Sequence, residues 1–323
     1  MRTLKIAIAG LLLGAVAVCA GSAWAGEKWP AKPVRVIVPY PPGGAADTLA
    51  RLMARQLQEQ YKQAFVIENR GGAGGMIGSQ MALHAEPDGY LLIVSSVGSH
   101  VGGPALQPNV YDPMKDFTHI AMLGGPPTAL VVNPAQPIKS LPDFMAYARK
   151  MPDGLSWGSS GQGTHGSLIG QALQKITGLP MVEIRYKGGA ESLADVVGNQ
   201  VPVAFLTLST GASNIRAGKL RVLAVTSSKR IPDFPDVPTF TELGYPQLAG
   251  TAWYAISGPA GMPPALVEQI NHDVRQAMSS PEGKAELLKQ NMESQDWDAA
   301  TFTKYVQSEI DHWSGYFNKP EGK

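Results

Sequence analysis

The chain of 323 residues has a single cysteine, Cys19, which lies in an N-terminal segment that we expect to be removed. A mature protein without thiols forms no disulfide and performs no thiolate chemistry. Charged residues are also scarce, at 16% of the chain against about 25% in an average globular protein. Lysine and arginine number 27 and aspartate and glutamate 26. Without a basic excess to follow a phosphate backbone, nucleic acid is excluded as an expected partner.

Metal and nucleotide signals are missing as well. The six histidines include no pair at the short separations typical of zinc sites, so we predict no metal. The glycine-rich run from Gly72 to Gly78 breaks the G-x-G-x-x-G spacing at Ile77, and we predict no cofactor.

Long apolar runs are confined to the N-terminus. Arg2 and Lys5 precede an apolar run over residues 6–20, and residues 23–25 (AWA) give a small-x-small cleavage pattern. We predict a signal peptide over residues 1–25, cleaved after Ala25, and a mature protein in the periplasm. Val18, which precedes Cys19, departs from a lipoprotein pattern and argues against a lipid anchor.

Glycine and proline, by contrast, are abundant at 36 and 26 residues, and the glycines recur in one pattern. Short apolar runs at residues 34–38, 65–67, 90–94, 155–157 and 182–184 are each followed by a glycine- or serine-rich turn, with helical periodicity after the first. This alternation predicts an α/β protein with a largely parallel sheet. Ligands of such sheets bind beyond the carboxyl ends of the strands, where these turns lie.

Two apolar stretches interrupted by glycine and proline, residues 121–133 and 251–261, are typical of crossings between two halves of a chain. The length also suits two domains of about 150 residues. We predict that residues 26–125 and 252–323 form one domain and residues 126–251 the other. Aromatic residues at helical spacing from Phe302 to Phe317 are interpreted as core packing.

The glycine turns are candidate anion sites. A helix start exposes N–H donors and the positive end of the helix dipole, so it attracts a carboxylate without lysine or arginine. Four hydrogen bonds to a charged group supply about 6 to 12 kcal/mol, which brackets the roughly 8 kcal/mol of a micromolar complex. For any single turn, a purely structural role of the glycines remains the alternative.

At these turns the chain resembles the Bug-type solute-binding proteins of tripartite tricarboxylate transporters. The matching segments run in order over nearly the whole mature chain. They are residues 40–47 (YPPGGAAD), 68–75 (ENRGGAGG), 87–90 (PDGY), 186–189 (YKGG), 215–220 (IRAGKL), 223–226 (LAVT), 235–239 (PDVPT) and 259–261 (PAG).

The resemblance implies a clamshell of the type II-like periplasmic-binding-protein fold. Each of its two domains is a sheet flanked by helices, and two crossover strands serve as the hinge. The clamshell would close on a small carboxylate, without bond chemistry, and present it to the membrane permease subunits of the transporter. We expect a monomer.

In that family, main-chain amides and hydroxyls of the first turn and of a facing turn hold the ligand, often through waters. The predicted ligand-binding residues on this chain, with a candidate donor in His165, are Tyr40, Pro41, Gly43, Gly44, Ala45, Ser95, Ser96, Ser159, Ser160, Gly161, Gly163, Thr164, His165, Gly188, Gly189, Ala190 and Thr207. Near Thr207 the family often has an aspartate that could face an ammonium group. Its replacement argues against an amino-acid ligand and favours a di- or tricarboxylate or an aromatic carboxylate.

Two alternatives stay open at this point. The same clamshell could serve as a ligand-responsive partner of a sensor kinase, because both roles need an anion cleft and a closed-state surface. An exported hydrolase built on Ser160 and His165 is the other, although the G-x-S-x-G elbow around Ser160 lacks its final glycine.

Overall fold

A computed structural model describes residues 28–317 of the chain. The predicted signal peptide and its cleavage after Ala25 lie outside the described residues. From Lys32 onward the chain forms one compact unit, which contains two five-stranded sheets.

Ten strands build the two sheets. They are β1 (Val34–Val38), β2 (Phe65–Asn69), β3 (Leu91–Ser96), β4 (Phe117–Gly124), β5 (Thr128–Val132), β6 (Leu155–Ser159), β7 (Met181–Arg185), β8 (Val203–Thr207), β9 (Arg221–Val225) and β10 (Tyr254–Pro259). The first sheet has the order β2-β1-β3-β10-β4 and the second the order β7-β6-β8-β5-β9. We call the first sheet with its helices the first lobe and the second sheet with its helices the second lobe.

The α-helices of the described part follow the strands along the chain. They are α1 (Ala45–Tyr61), α2 (Met76–Gln80), α3 (Gly103–Leu106), α4 (Leu141–Ala148), α5 (His165–Thr177), α6 (Gly189–Val197), α7 (Leu208–Arg216), α8 (Pro264–Ser279), α9 (Pro281–Lys289) and α10 (Ala299–Phe317). A single π-helical turn, Gly98–Gly102, precedes α3.

The local signals in the sequence explain the first strand and helix. Every second residue of a strand faces the same way, yet Val36, Ile37 and Val38 are all buried, because β1 is a central strand covered on both faces. In α1, the residues Leu49 and Met53 lie four positions apart on the buried face. The strand, turn and helix predicted for this segment are confirmed.

Each sheet is mixed, whereas the sequence pattern predicted a largely parallel one. β1 runs parallel to β2 and β3, but β10 runs antiparallel to β3 and β4. In the second sheet β6 runs parallel to β7 and β8, but β5 runs antiparallel to β8 and β9. The strands that run antiparallel to their neighbours, β10 and β5, are the ones through which the chain enters each lobe from the other.

The chain changes lobe within the two interrupted apolar stretches, as predicted, and the two crossings lie side by side. β4 of the first lobe continues through Gly125 to Pro127 into β5 of the second, and the return path leads through Thr251 into β10. Pro127 and Thr251 form an isolated antiparallel bridge, and the Ala252 N–H donates to the Pro126 carbonyl at 2.9 Å. Two short segments thus connect the lobes at one place, which is the arrangement of a hinge.

A continuous apolar core runs from one lobe to the other beside this hinge. It joins Val101 and Met122 of the first lobe to Trp157 of the second. The helix α10 contributes Phe302 and Trp313, both buried, so the predicted packing role is confirmed for these two residues. The side chain of Phe317 lies outside the described part of the structure.

Candidate functional site

A cavity of about 300 Å³ lies where the turns after the parallel strands of the two lobes face one another. The first lobe lines it with the turn after β1 and the start of α1, and with the turn after β3. The second lobe lines it with the turns after β6, β7 and β8. The crossing segment from Ala252 to Tyr254 also lines it, and Gln290 borders it just after α9.

Thirteen of the predicted site residues line this cavity. They are Tyr40, Pro41, Gly43, Gly44, Ala45, Ser96, Ser160, Thr164, His165, Gly188, Gly189, Ala190 and Thr207. Segments more than 160 residues apart in sequence, such as those of Tyr40 and Thr207, therefore meet around one space.

Four predicted residues stand beside the lining instead. The Ser95 hydroxyl is buried behind it, 2.8 Å from the Ser257 hydroxyl. The Ser159 hydroxyl donates to Glu183 at 2.7 Å and accepts from the Gly161 N–H at 3.2 Å. Gly161 and Gly163 both have positive φ, +115° and +73°, which few residues other than glycine adopt readily. Ser159, Gly161 and Gly163 shape the turn after β6, and Ser95 lies within β3. A direct ligand role for these four residues stays a prediction.

Several lining residues were not predicted from the sequence. Ser209 and Thr210 stand in the first turn of α7, Leu193 lies on α6, and Trp253 and Tyr254 come from the crossing. The last two carried a usable signal, because a segment that passes between two lobes also borders the cleft between them. The others have no local feature that marks them.

Four of the described helices begin at the cavity without a capping side chain. Their N-cap residues are Gly44 for α1, Thr164 for α5, Gly188 for α6 and Thr207 for α7, and none accepts a hydrogen bond on its side chain from the helix. Thr164 has a hydroxyl but donates it to the Gly161 carbonyl at 2.7 Å. The first-turn N–H groups of these helices therefore have no side-chain acceptor at the N-cap.

Helices of eight or more residues that start elsewhere in residues 28–317 are capped by a side chain or begin at proline. Ser140 accepts from the Asp143 N–H at 3.2 Å at the start of α4, and Ser280 accepts from the Gly283 N–H at 3.0 Å at the start of α9. Helix α8 has no cap, but it begins with Pro263 and Pro264, which have no N–H to satisfy. The short helices α2 and α3 also lack a side-chain cap. Among the described helices of eight or more residues, the starts with neither a cap nor a proline are therefore the four at the cavity.

The cavity wall has almost no formal charge. Among the described residues that line it there is no lysine or arginine, and one acid, Glu191. Burial, together with the nearby His312, lowers the pKa of His165 to about 3, so this imidazole is neutral at physiological pH. An anion in the cavity would meet main-chain dipoles and hydroxyls instead of cations.

Asp47 organises the first turn from behind. Its carboxylate is buried and accepts hydrogen bonds from the Gly43 N–H at 2.9 Å, from Arg51 at 2.9 Å and from Asn69 at 3.0 Å. Burial alone would raise the pKa of this carboxyl, but the three donors outweigh it and hold the pKa below its ordinary value. The ionised Asp47 thus holds the turn in place through the Gly43 N–H, and the guanidinium of Arg51 balances its negative charge.

A chain of hydroxyls fixes Tyr40. Its O–H donates to the Gly74 carbonyl at 3.0 Å and lies 2.7 Å from the Ser96 hydroxyl. Ser96 Oγ in turn lies 3.1 Å from Ser99 Oγ, which is 2.9 Å from His100 Nδ1. Tyr40 has one proton and donates it to Gly74, so Ser96 must donate to the Tyr40 oxygen. By the same reasoning Ser99 donates to Ser96, and His100 Nδ1–H donates to Ser99.

The end of this chain is a neutral, buried histidine. Burial, together with the neighbouring His119, lowers the pKa of His100 well below its usual range. With the proton on Nδ1, His100 Nε2 is a bare acceptor, which agrees with its having no hydrogen-bond partner among the described residues. The network positions Tyr40 and leaves its hydroxyl committed to the protein.

The second lobe offers hydroxyls nearer to the open helix starts. Thr207 and Thr210 share a hydrogen bond of 2.7 Å between their Oγ1 atoms. The Ser209 hydroxyl is buried and has no partner within the described chain. A buried hydroxyl without a partner at the wall of a cavity is available to a bound group.

The arrangement does not suit a serine hydrolase. His165 Nδ1 lies 2.8 Å from the Thr128 hydroxyl, and a Cβ placed on Gly250 would stand 3.3 Å from its Nε2. The imidazole is thereby turned to Thr128 and Gly250 and not to Ser160. Within residues 28–317 no group of three or more His, Cys, Asp or Glu side chains is suited to hold a metal ion.

No helix in residues 28–317 combines the length and the hydropathy needed to cross a bilayer.

Two lobes joined by paired crossing strands, with a cavity walled by the turns of both, define a solute-binding protein of the periplasmic clamshell class. Within that class, the model of the tripartite tricarboxylate transporter family receptor matches residues 49–319. The chain belongs to this family, and the resemblance seen in its sequence is confirmed. The family is one of receptors, so the chain is a binding protein and not an enzyme.

Similar proteins agree over almost the full length. Protein BugT of Bordetella pertussis is 31% identical, and the match covers 99% of this chain and 98% of BugT. Among solved structures, MatC from Rhodopseudomonas palustris with bound malate is 30% identical with a TM-score of 0.84, and the match covers 90% of this chain and all of MatC. An R. palustris protein solved with adipate is 32% identical with a TM-score of 0.82, over 89% of this chain and 97% of that one.

Proposed function

We propose that this chain is an extracytoplasmic receptor that captures a small organic acid in its cavity and delivers it to the permease subunits of a tripartite tricarboxylate transporter. The cleft closes on the ligand without bond chemistry.

The observation that carries the proposal is the convergence of four uncapped helix starts on a cavity without lysine or arginine. Each start offers N–H donors and a partial positive charge, and together they favour an anion over a neutral solute. A carboxylate has lone pairs for several such donors at once, so one such group could bind amides of both lobes.

The ligand class is further supported by the relatives. MatC was solved with malate and another similar protein with adipate, both dicarboxylates. The apolar part of the wall, which includes Leu193 and Trp253, suits the carbon skeleton of such an acid. We therefore propose a carboxylate with a short carbon skeleton as the ligand.

Residue roles follow from position. In our proposal the amides of Gly44 and Ala45 and those at the starts of α5 and α7 bind the carboxylate, with Ser160 and Ser209 as hydroxyl partners. The lobes divide near residues 125 and 252, where the crossings lie. Export by a signal peptide cleaved after Ala25 delivers the receptor to the periplasm as a monomer.

Titration calorimetry of the mature protein against acetate, malate, adipate, citrate and benzoate tests the proposal. We expect saturable, one-to-one binding of at least one of these acids, and no binding of the corresponding neutral amide. If no acid in the panel binds, or if the neutral amide of a bound acid binds equally well, the proposal is wrong.

A further inference from the structure

The two lobes contact each other through glycines, of which Gly74 and Gly102 stand beside the cavity and not in its wall. In two of these contacts the turn after β6 of the second lobe meets the first lobe, once at the turn after β3 and once at the turn after β2. In the third, the turn after β7 meets the turn after β1. All of these turns lie at carboxyl ends of parallel strands.

The tightest contact is between Gly102 and Gly163. A Cβ built on Gly102 would stand 2.8 Å from the Gly163 Cα and would overlap the Gly163 carbonyl oxygen. Gly102 has φ −69° and ψ −41°, an ordinary helical conformation open to any residue. The backbone therefore does not require glycine at this position; the approach of the other lobe does.

A second contact repeats this geometry. A Cβ on Gly74 would overlap the carbonyl oxygen of Gln162 in the second lobe and would lie 3.3 Å from its carbonyl carbon. At the third contact, a Cβ on Gly188 would stand 3.2 Å from Cγ of Pro41 in the first lobe.

We propose that Gly102 and Gly74 are positioning residues, whose missing side chains let the lobes approach to the separation at which one bound carboxylate reaches both walls. The proposal rests on the proposed function, because it assigns these glycines a part in binding the acid. Neither glycine lines the cavity, so neither touches the ligand itself.

The effect of a methyl group follows from contact distances. Carbon and carbonyl oxygen approach to about 3.3 Å, so an added methyl at Gly102 forces the lobes apart by roughly 1 Å. Hydrogen bonds with heavy-atom distances of about 2.7 to 3.2 Å weaken steeply at that displacement. A ligand held by amides of both lobes would then lose its bonds to one of them.

The chain offers a matched control for each position. Gly211, in the helix α7, has Ile215 Cδ1 as its nearest neighbour at 3.4 Å, an ordinary contact, and is the control for Gly102. Gly178 has the same φ as Gly74, +65°, but nothing within 4 Å. The Gly178→Ala variant thus carries the backbone strain of Gly74→Ala without a lobe contact.

The experiment compares Gly102→Ala with Gly211→Ala, and Gly74→Ala with Gly178→Ala, by calorimetry. The probe is the acid of the panel that the wild type binds most tightly. We expect at least tenfold weaker binding for Gly102→Ala and Gly74→Ala, and binding within twofold of wild type for both controls. An irreversibly misfolded fraction lowers the fitted stoichiometry, and a reversible equilibrium with the unfolded state weakens the apparent affinity only by the factor by which the folded fraction falls. A tenfold loss in a variant that is mostly folded without the acid therefore separates a positioning role from a purely structural one.

Small-angle scattering of the ligand-free proteins gives a readout that does not need the acid. We expect a larger radius of gyration for Gly102→Ala than for Gly211→Ala. If no acid binds the wild type, the proposed function fails, and the scattering comparison alone decides this inference. Equal radii together with affinities within twofold of the controls would overturn it; if Gly102→Ala does not fold, the Gly74 and Gly178 pair decides.

Discussion

The hydroxyl oxygens of Tyr40 and Ser96 lie 2.7 Å apart, and this bond joins the first turn of the cavity to a buried chain of hydroxyls. Burial raises the pKa of Tyr40 to about 12, so its proton is retained at physiological pH. The Tyr40 hydroxyl donates its proton to the Gly74 carbonyl and accepts a hydrogen bond from the Ser96 hydroxyl. The ring of Tyr40 therefore stands at a fixed place in the wall, edge-on to Tyr254 with centroids 6.0 Å apart.

Removing this hydroxyl leaves the Gly74 carbonyl without its donor and the Ser96 proton without its acceptor, in a partly buried region. We expect Tyr40→Phe to lower the free energy of unfolding by about 1 to 3 kcal/mol, the cost of unsatisfied buried groups. Ligand affinity should fall as well, because the ring and the Gly74 turn lose their common anchor. Urea unfolding and calorimetry measure the two effects.

The control for this change is Tyr147→Phe, whose hydroxyl donates to Gln136 at 3.3 Å outside the cavity. A loss of stability in Tyr40→Phe no greater than in Tyr147→Phe would contradict the positioning role of the hydroxyl chain.

Glu191 is the acid of the cavity wall, and its carboxylate opposes a bound anion. Its Oε2 lies 3.1 Å from the position that a Cβ added to Gly188, the N-cap residue of α6, would take. We expect Glu191→Gln to strengthen binding of an organic acid about two- to fivefold, because like charges near a surface interact by no more than about 1 kcal/mol.

This gain should be larger for a dianion than for a monoanion, and it should shrink as salt screens the charge. Calorimetry at low and moderate ionic strength measures it, with Glu59→Gln as an exposed acid of α1 that does not line the cavity. Weaker binding by Glu191→Gln would instead show that the carboxylate accepts a hydrogen bond from the ligand.

Glu309, on the helix α10, gives the stability of the protein a dependence on pH. Burial raises the pKa of this carboxyl to about 7 from an ordinary value of 4.5. A carboxyl whose pKa is raised by folding stabilises the protein fully below pH 4.5, and this contribution is lost as the pH rises through 7. The loss amounts to roughly 3 kcal/mol when complete.

We therefore expect Glu309→Gln to be more stable than the wild type at pH 8 and to have a flatter stability profile between pH 5 and pH 8. Urea unfolding across this range measures the difference between the two proteins, in which the other titrating groups cancel. Parallel profiles would show that Glu309 does not titrate in this range.

The local part of the fold was accessible from the sequence. The β-branched run before Pro39 and the leucine spacing after Gly44 are sufficient to predict β1 and α1, since both signals lie within a few residues of the elements they specify. The antiparallel placement of β10 could not be predicted, because it depends on pairing with β3 and β4, at least 130 residues earlier in the chain.

The site divides in the same way. A glycine-rich turn after an apolar run predicts the start of a helix, so the residues around Gly44 and Gly188 were enough to predict that both line the cavity. The sequence could not show that Ser160 lines the cavity and Ser159 does not, because it does not reveal which hydroxyl already forms hydrogen bonds within the protein. Ser209 and Gln290 reach the cavity only through tertiary packing, and no local pattern marks either of them.

The central claim is that open amides at helix starts hold the acid. Ala45 is the first residue of α1, and Gly44 before it has ψ 175°, a conformation compatible with a following proline. The Ala45→Pro variant thus removes one amide donor from the cavity while the helix is kept, because proline is tolerated at the first helical position. Ala299→Pro makes the same change at the first residue of α10, away from the cavity.

Calorimetry of these two variants against the acid that the wild type binds most tightly is the most direct measurement. One lost hydrogen bond to a charged group is worth about 1.5 to 3 kcal/mol, so we predict binding weaker by about tenfold or more for Ala45→Pro. Ala299→Pro should bind like the wild type. Unchanged affinity in a folded Ala45→Pro protein would contradict the account.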